Sequence, residues 1–200
     1  MQPPYVNQPV LLGVLVASLL LWRVIEAILD IRTLKRLRTG AQRQDRGSRL
    51  LLLCTIVLGV LLGTWVAFTF PATAITSTGA ILVFWLGILL IYAGIALRLY
   101  AIRVLGAYFT TAVAVAPTQT VIETGPYRLI RHPSYTGILI TLFGIGLTYA
   151  NWLSPLIIVG CSLLGFTYRI RVEERVLQEQ LGQPYREYMR RTKRLIPFVL

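Results

Sequence analysis

The chain has 200 residues, of which 56% are hydrophobic and 14% are charged, and its formal net charge is +12. Its mean hydropathy of +0.67 excludes an ordinary soluble domain, because the apolar residues occur in long runs rather than at amphipathic spacing. The basic excess is confined to particular loops, which favours contact with anionic lipid headgroups over nucleic-acid binding.

Five segments approach or reach the roughly 20 apolar residues that a helix needs to cross the hydrocarbon core of a membrane. They cover residues 10–28, 50–70, 79–97, 133–149 and 152–168. The sequence therefore predicts an all-α polytopic membrane protein with five transmembrane helices. The second of them contains Gly59 and Gly63, a small-xxx-small pattern that predicts close helix packing, which we assign to contacts within the chain rather than to a dimer.

The connections between these spans are of two kinds. The one after the first span and the C-terminal tail are rich in Arg and Lys, whereas residues 71–78 and 150–154 contain neither. Basic residues accumulate on the cytoplasmic side of a membrane. We therefore expect the N-terminus outside and the C-terminus in the cytoplasm.

The connection between the third and fourth spans, residues 106–131, is polar and has no pattern of a long helix. It ends in the run GPYRLIRHPSYTG, residues 125–137, which contains His132, the only histidine. Pro133 suits the first position of a helix because its missing N–H would be unpaired there. The free amides of that helix start, beside His132 and Ser134, would suit an anionic or polar group.

After residue 168 the chain becomes polar but keeps helical periodicity. Apolar residues recur on one face up to Leu181, and Gly182 with Pro184 ends the pattern before a second short helix at residues 185–193. Arg169 and Glu173 are four residues apart, on one face of the first of these helices. This spacing fits a simple ion pair within the helix as well as a pair of ligand-binding side chains.

Together these segments resemble the isoprenylcysteine carboxyl methyltransferase family and its prokaryotic members, which are related to membrane phospholipid methyltransferases. The likeness rests on the GPY-xxx-RHPSY-x-G run, an apolar hairpin, Arg169 with Glu173, and an LG-xx-Y-xx-Y run, within residues 119–197. With the predicted spans, this divides the chain into three N-terminal membrane helices in residues 1–105 and a catalytic region in residues 106–200. The likeness implies S-adenosylmethionine as cofactor, in a pocket without a Rossmann domain.

The resemblance assigns roles residue by residue. Arg169 is the expected catalytic and acceptor-binding residue. The expected cofactor contacts are Gln119, Thr120, Val121, Ile122, Tyr127, His132, Pro133, Ser134, Tyr135 and Glu173. At Gln119 the chain departs from the family, which has a histidine there. The expected partners are a lipophilic or prenylated acceptor and membrane lipid, with no nucleic acid and no metal.

The residues themselves leave other roles open. His132 fits a ligand-binding donor, a general base or a helix-capping side chain, and a single histidine gives no metal-binding set. Tyr127 and Tyr135 could stack on adenine or on a cation, although tyrosines are common at membrane interfaces in any case. The resemblance favours cofactor binding for all three, and it implies a bacterial or archaeal cytoplasmic membrane with the active site facing the cytoplasm.

Three other functions fit parts of the pattern. An amine or phospholipid acceptor would need a base, for which Glu174 or His132 is available. A sterol-type membrane reductase has a similar RHP-x-Y segment and uses NADPH. A small non-catalytic protein that binds lipid would explain the basic loops but not the polar residues around His132 and Arg169.

Overall fold

The computed structural model describes residues 3–37, 45–75, 78–113 and 119–196. Within these ranges the chain is all-helical and its only β-type pairings are two isolated bridges. The helices are α1 (Pro9–Leu37), α2 (Ser48–Thr69), α3 (Thr78–Leu105), α4 (Pro133–Thr148), α5 (Leu153–Leu181) and α6 (Gln183–Arg191). Pro133 begins α4, as predicted, and short 3-10 turns occupy Gly106–Tyr108 and Gly125–Arg128.

Four of these helices, α1, α2, α3 and α5, are long and apolar enough to cross a membrane. The fourth predicted span, α4, has 16 residues and is about 24 Å long at 1.5 Å per residue, short of a hydrocarbon core of about 30 Å. The all-helical membrane architecture is thus confirmed for the described residues, and the fifth crossing stays a prediction.

The helices pack as two close pairs, α3 with α4 and α2 with α5, and α4 and α5 form the predicted hairpin. Glycines allow both close approaches. A Cβ atom on Gly94 of α3 would lie 2.4 Å from Thr141 Oγ1 of α4, and one on Gly63 of α2 would lie 2.7 Å from Ile158 Cγ1 of α5. The small-residue pattern around Gly63 therefore packs helices within the chain.

The turn between α4 and α5 lies against the turn between α2 and α3. Asn151 Oδ1 accepts hydrogen bonds from the amides of Leu153 and Ser154, and Asn151 Nδ2 donates to Thr73 Oγ1 over 2.6 Å. The Ile75 amide donates to the Ala150 carbonyl over 2.7 Å. These bonds fix one end of the molecule, opposite the end that carries the polar segments.

The structure differs from the prediction along α5. The predicted fifth span and the amphipathic helix after residue 168 form one continuous helix, Leu153–Leu181. The side chains change from apolar to polar near Tyr168, but every residue from Arg169 to Leu181 is compatible with helix, so nothing stops the backbone hydrogen-bond pattern. Gly182, with φ of +62°, then turns the chain into α6.

Candidate active site

An open cavity lies where the segments after α3, the start of α4, the polar half of α5, and α6 meet, and its empty volume is about 820 Å³. Nine of the ten expected cofactor contacts line it: Gln119, Thr120, Val121, Ile122, Tyr127, His132, Ser134, Tyr135 and Glu173. The tenth, Pro133, is buried at the start of α4 and does not line the cavity.

The C-terminal segment holds the histidine motif in place. The Arg131 amide donates to the Lys193 carbonyl over 2.7 Å, and the His132 amide donates to the Arg194 carbonyl over 3.0 Å. Thr136 Oγ1 donates to the Leu195 carbonyl over 2.7 Å. Because α4 starts immediately after these bonds, they fix where the first side chains of the helix face the cavity.

His132, Tyr135 and Glu173 form one polar group in the cavity. Tyr135 Oη donates to Glu173 Oε2 over 2.5 Å, and His132 Nδ1 lies 3.9 Å from the same oxygen. The His132 and Tyr135 rings are stacked, with centroids 5.4 Å apart. The Glu173 side chain is 28% exposed, so part of its carboxylate faces the cavity. The structure thus brings together residues that are 41 positions apart in the sequence.

Arg169 lies behind this group and does not line the cavity. Its Nη1 donates to Asp45 Oδ1 and to Ser48 Oγ, the latter over 2.9 Å, and its Nη2 donates to the Thr111 carbonyl over 2.9 Å. Its Nε donates to Tyr135 Oη over 3.2 Å. The simple pairing of Arg169 with Glu173 is therefore not the arrangement observed, because the phenol of Tyr135 links the two side chains.

Asp45 is the residue here that local sequence patterns could not reveal. Its side chain and that of Arg169 are each 3% exposed, although Asp45 is in a loop in the sequence. Ser48 Oγ donates to Asp45 Oδ1 over 3.1 Å, so the start of α2 also holds this carboxylate. A guanidinium presents a planar fork that suits a carboxylate, and in this structure Arg169 holds the one that Asp45 supplies.

Glu174, adjacent to the cavity, is held by two arginines. Its Oε1 accepts a hydrogen bond from Arg131 Nε over 2.8 Å, and its Oε2 accepts from Arg194 Nη2 over 2.9 Å. His132 Nε2 is 3.4 Å from Oε1. The Glu174 side chain is 3% exposed. Bonds from two guanidinium groups stabilise its charged form, so Glu174 connects α5 to the histidine motif and to the C-terminal segment and is a poor proton acceptor.

A second buried ion pair supports Ser134 from the other side. Arg98 of α3 donates from Nη1 to Ser134 Oγ over 2.7 Å and from Nη2 to Glu26 Oε2 of α1 over 2.7 Å. Its Nε lies 2.6 Å from the other Glu26 oxygen. The structure shows that Arg98 links α1 and α3 to the start of α4.

Three buried tyrosines complete the cavity wall: Tyr127, Tyr185 and Tyr188. Burial raises the pKa of each phenol above its ordinary value, so all three are neutral hydrogen-bond donors at physiological pH. Tyr188 Oη donates to the Tyr127 carbonyl over 2.7 Å. Tyr185 and Tyr188 of α6 are buried and form one wall of the site.

Residues 85–179, which run from α3 through the histidine motif to Glu173 and beyond, match the sequence model of the isoprenylcysteine carboxyl methyltransferase (ICMT) family. The match is to the ICMT family model and covers 95 of the 200 residues. It includes His132, Arg169 and Glu173. Together with the long apolar helices, this makes the chain an integral membrane protein.

Two curated relatives illustrate the range of the family. Protein-S-isoprenylcysteine O-methyltransferase B of Arabidopsis thaliana is 32% identical over 115 residues, which cover 56% of this chain and 58% of the relative. Uncharacterized protein YpbQ of Bacillus subtilis is 30% identical over 96 residues, which cover 48% of this chain and 57% of the relative. The chain thus spans somewhat over half the length of these relatives.

A solved structure shares the fold. It is that of the eukaryotic intramembrane Ras methyltransferase ICMT, which superposes with a TM-score of 0.59 at 25% sequence identity. The superposition covers 74% of this chain and 52% of that one. The arrangement of helices around the cavity is therefore that of an ICMT-type membrane protein.

Proposed function

We propose that this protein is an S-adenosylmethionine-dependent methyltransferase of the membrane that methylates the carboxylate of a lipophilic, isoprenylcysteine-like acceptor. The observation that supports it most directly is that His132, Tyr135 and Glu173, all within the family-matched region, line one cavity. Methyltransferase relatives belong to the same family.

The side chains of the cavity fit this cofactor, which carries positive charge and an aromatic base. Glu173 offers a partly exposed carboxylate for a cationic group. The rings of Tyr127 and Tyr135 offer faces that attract a cation or stack on a planar base. The segment 119–122 and the polar atoms of His132 and Ser134 would make the remaining contacts. When bound, the cofactor supplies an electrophilic methyl group.

Arg169 is the residue proposed to hold the acceptor carboxylate. Its guanidinium is buried and charged, and it already binds one carboxylate, that of Asp45. An acceptor carboxylate that binds to Arg169 therefore has to displace the carboxylate of Asp45 from the guanidinium group. The contact from Arg169 Nε to Tyr135 Oη connects this position with the cavity. Holding the acceptor in line with the methyl group is the main requirement, because alignment alone can remove about 7–11 kcal/mol of a barrier.

A carboxylate acceptor fits the site better than an amine or a phospholipid amine does. A carboxylate is already ionised near neutral pH and needs no base, whereas a protonated amine must lose a proton before it attacks. Glu174 accepts hydrogen bonds from two arginines, and Glu173 accepts one from Tyr135. Neither carboxylate is available as a strong base.

The membrane arrangement is the second part of the proposal. We place the N-terminus outside, the cavity on the cytoplasmic side of a bacterial or archaeal membrane, and α4 as a fifth crossing. Two observations support the crossing. The close glycine contacts run along α3 and α4 from Gly87 with Gly144 to Gly94 with Gly137, and Asn151, after α4, is bonded to Thr73, before α3. Although α4 is short, it packs along the middle of α3, and the turn that follows it reaches the turn before α3.

A binding experiment and an activity experiment test this function. Isothermal titration of the purified protein should show binding of S-adenosylhomocysteine and none of NADPH. Methyl transfer from labelled cofactor should occur to a prenylated cysteine with a free carboxylate and not to its carboxamide. Binding of NADPH alone would indicate a reductase, and transfer to an amine lipid but not to the carboxylate would indicate an N-methyltransferase.

A further inference from the structure

A second concavity lies on the other side of α5 from the cavity, between α5, α6 and the segment that follows α6. Its empty volume is about 830 Å³, and no residue lines both concavities. Four arginines line it, namely Arg171, Arg175, Arg186 and Arg194, together with Glu174 and Glu179. We call it the arginine groove. Four positive and two negative side chains give it a net charge of +2.

Three of these arginines have no partner among the described residues. Arg194 donates to Glu174, but Arg171, Arg175 and Arg186 form no ion pair or hydrogen bond within the residues that the structure describes. All three are exposed. Arg171 and Arg175 are one helical turn apart on α5, and Arg186 faces the same groove from α6. The carboxylate of Glu179 balances only one of these three charges, and a bound anion would relieve the repulsion that remains between the like charges.

The groove lies at the depth of lipid headgroups. The apolar part of α5 starts at Leu153 and ends near Tyr168. Arg171 is 18 residues after Leu153, about 27 Å along a helix that rises 1.5 Å per residue. The hydrocarbon core of a bilayer is about 30 Å thick. Arg171 and Arg175 of α5 are therefore at the edge of the hydrocarbon core, where the lipid phosphates lie. This holds for either orientation of the protein in the membrane.

We propose that the arginine groove is a binding site for the phosphate group of an anionic membrane phospholipid. Guanidinium groups bind phosphate oxygens through two parallel hydrogen bonds, and Arg171, Arg175 and Arg186 are free to do so. Glu174 does not oppose the anion directly, because Arg131 and Arg194 already bind its oxygens. The site is separate from the cavity and does not depend on methyl transfer.

Lipid retention in detergent tests the proposal. The purified protein is mixed with equal amounts of phosphatidylglycerol and phosphatidylcholine, and the lipids that stay bound are measured by native mass spectrometry. The wild-type chain should retain phosphatidylglycerol preferentially. The triple variant Arg171→Gln/Arg175→Gln/Arg186→Gln should lose about tenfold or more of this preference, because each basic residue near an anionic surface contributes on the order of a fivefold preference.

A matched control removes the same charge elsewhere. Arg32→Gln/Arg103→Gln/Arg128→Gln changes three exposed arginines on α1, on α3 and in the turn before the histidine motif. It should keep the preference, and all variants should unfold at the wild-type temperature. Equal retention of the two lipids by the wild type, or equal losses in the two triple variants, would refute the site. Displacement of the lipid by millimolar inorganic phosphate would show that it takes soluble phosphate instead.

Discussion

The proposed cofactor site depends on the carboxylate of Glu173. It is the one acidic side chain that lines the cavity among the described residues, and it is held by Tyr135. A hydrogen bond to a charged group contributes about 1.5–3 kcal/mol. Glu173→Ala should therefore weaken S-adenosylhomocysteine binding about tenfold or more in isothermal titration. Glu179→Ala, an exposed carboxylate farther along α5, is the matched control, and equal affinity in both variants would remove Glu173 from the site.

Arg169 requires a test that separates its chemistry from its packing. Removing it takes the Arg169 guanidinium away from the buried carboxylate of Asp45, and breaking a buried ion pair costs about 3–5 kcal/mol. Arg169→Met should therefore lower both turnover and thermal stability. Asp45→Asn/Arg169→Met removes both charges of the pair, so thermal unfolding in detergent should show much of the stability restored. Turnover should stay lost in the double variant. Its recovery together with stability would show that Arg169 is only structural.

At the scale of elements, the pairing of α3 with α4 sets the position of the histidine motif. Gly94→Ala would place a methyl group 2.5 Å from the Gly137 carbonyl, which must push the helices apart. Overpacking of this kind costs about 1–3 kcal/mol. We expect a lower unfolding temperature and weaker S-adenosylhomocysteine binding. Gly160→Ala, with no atom within 4 Å of its new methyl group, should change neither, and equal effects of the two substitutions would contradict this packing.

The connection between α5 and the C-terminal segment is tested at Glu174. Glu174→Gln leaves the buried guanidinium of Arg131, whose side chain is 7% exposed, without its carboxylate, at a cost of about 3–5 kcal/mol. Arg194→Gln removes a partner whose side chain is 47% exposed, and such pairs contribute about 1 kcal/mol or less. Thermal unfolding should therefore show a much larger loss for Glu174→Gln. Similar losses of thermal stability in the two variants would mean that the buried Arg131 contributes no more than the exposed Arg194 to holding the Glu174 carboxylate.

How far the sequence predicted these elements depends on the range of the contacts. Local signals were sufficient for the start of α4 at Pro133 and for the hairpin of α4 and α5. The resemblance to a family placed Glu173 with His132. The pairing of Asp45 with Arg169 joins residues 124 positions apart, and no local pattern encodes such a contact. The sequence did not predict that α5 is one continuous helix. Hydropathy indicates which residues lie inside the membrane, but it does not indicate where a helix stops.

The whole molecule has two dissimilar ends. One carries the uncharged turns, joined by the bonds of Asn151, and the other carries the cavity, α6 and the arginine groove. If the basic end faces the cytoplasm, both uncharged turns must be outside, and this requires α4 to cross the membrane. A chain with only four crossings would leave the α4–α5 turn on a different side from the α2–α3 turn, although hydrogen bonds join the two turns. We therefore predict that α4 crosses the membrane.

Cysteine labelling of intact cells tests this topology. Cys54 and Cys161 are first replaced by alanine, and single cysteines are placed at the exposed positions Ala72, Trp152 and Glu187. A membrane-impermeant maleimide should label positions 72 and 152 in intact cells, because both belong to the uncharged end. Position 187, on α6, should react only after the membrane is permeabilised. Labelling of 72 together with 187, and apart from 152, would show that α4 does not cross and that the proposed topology is wrong.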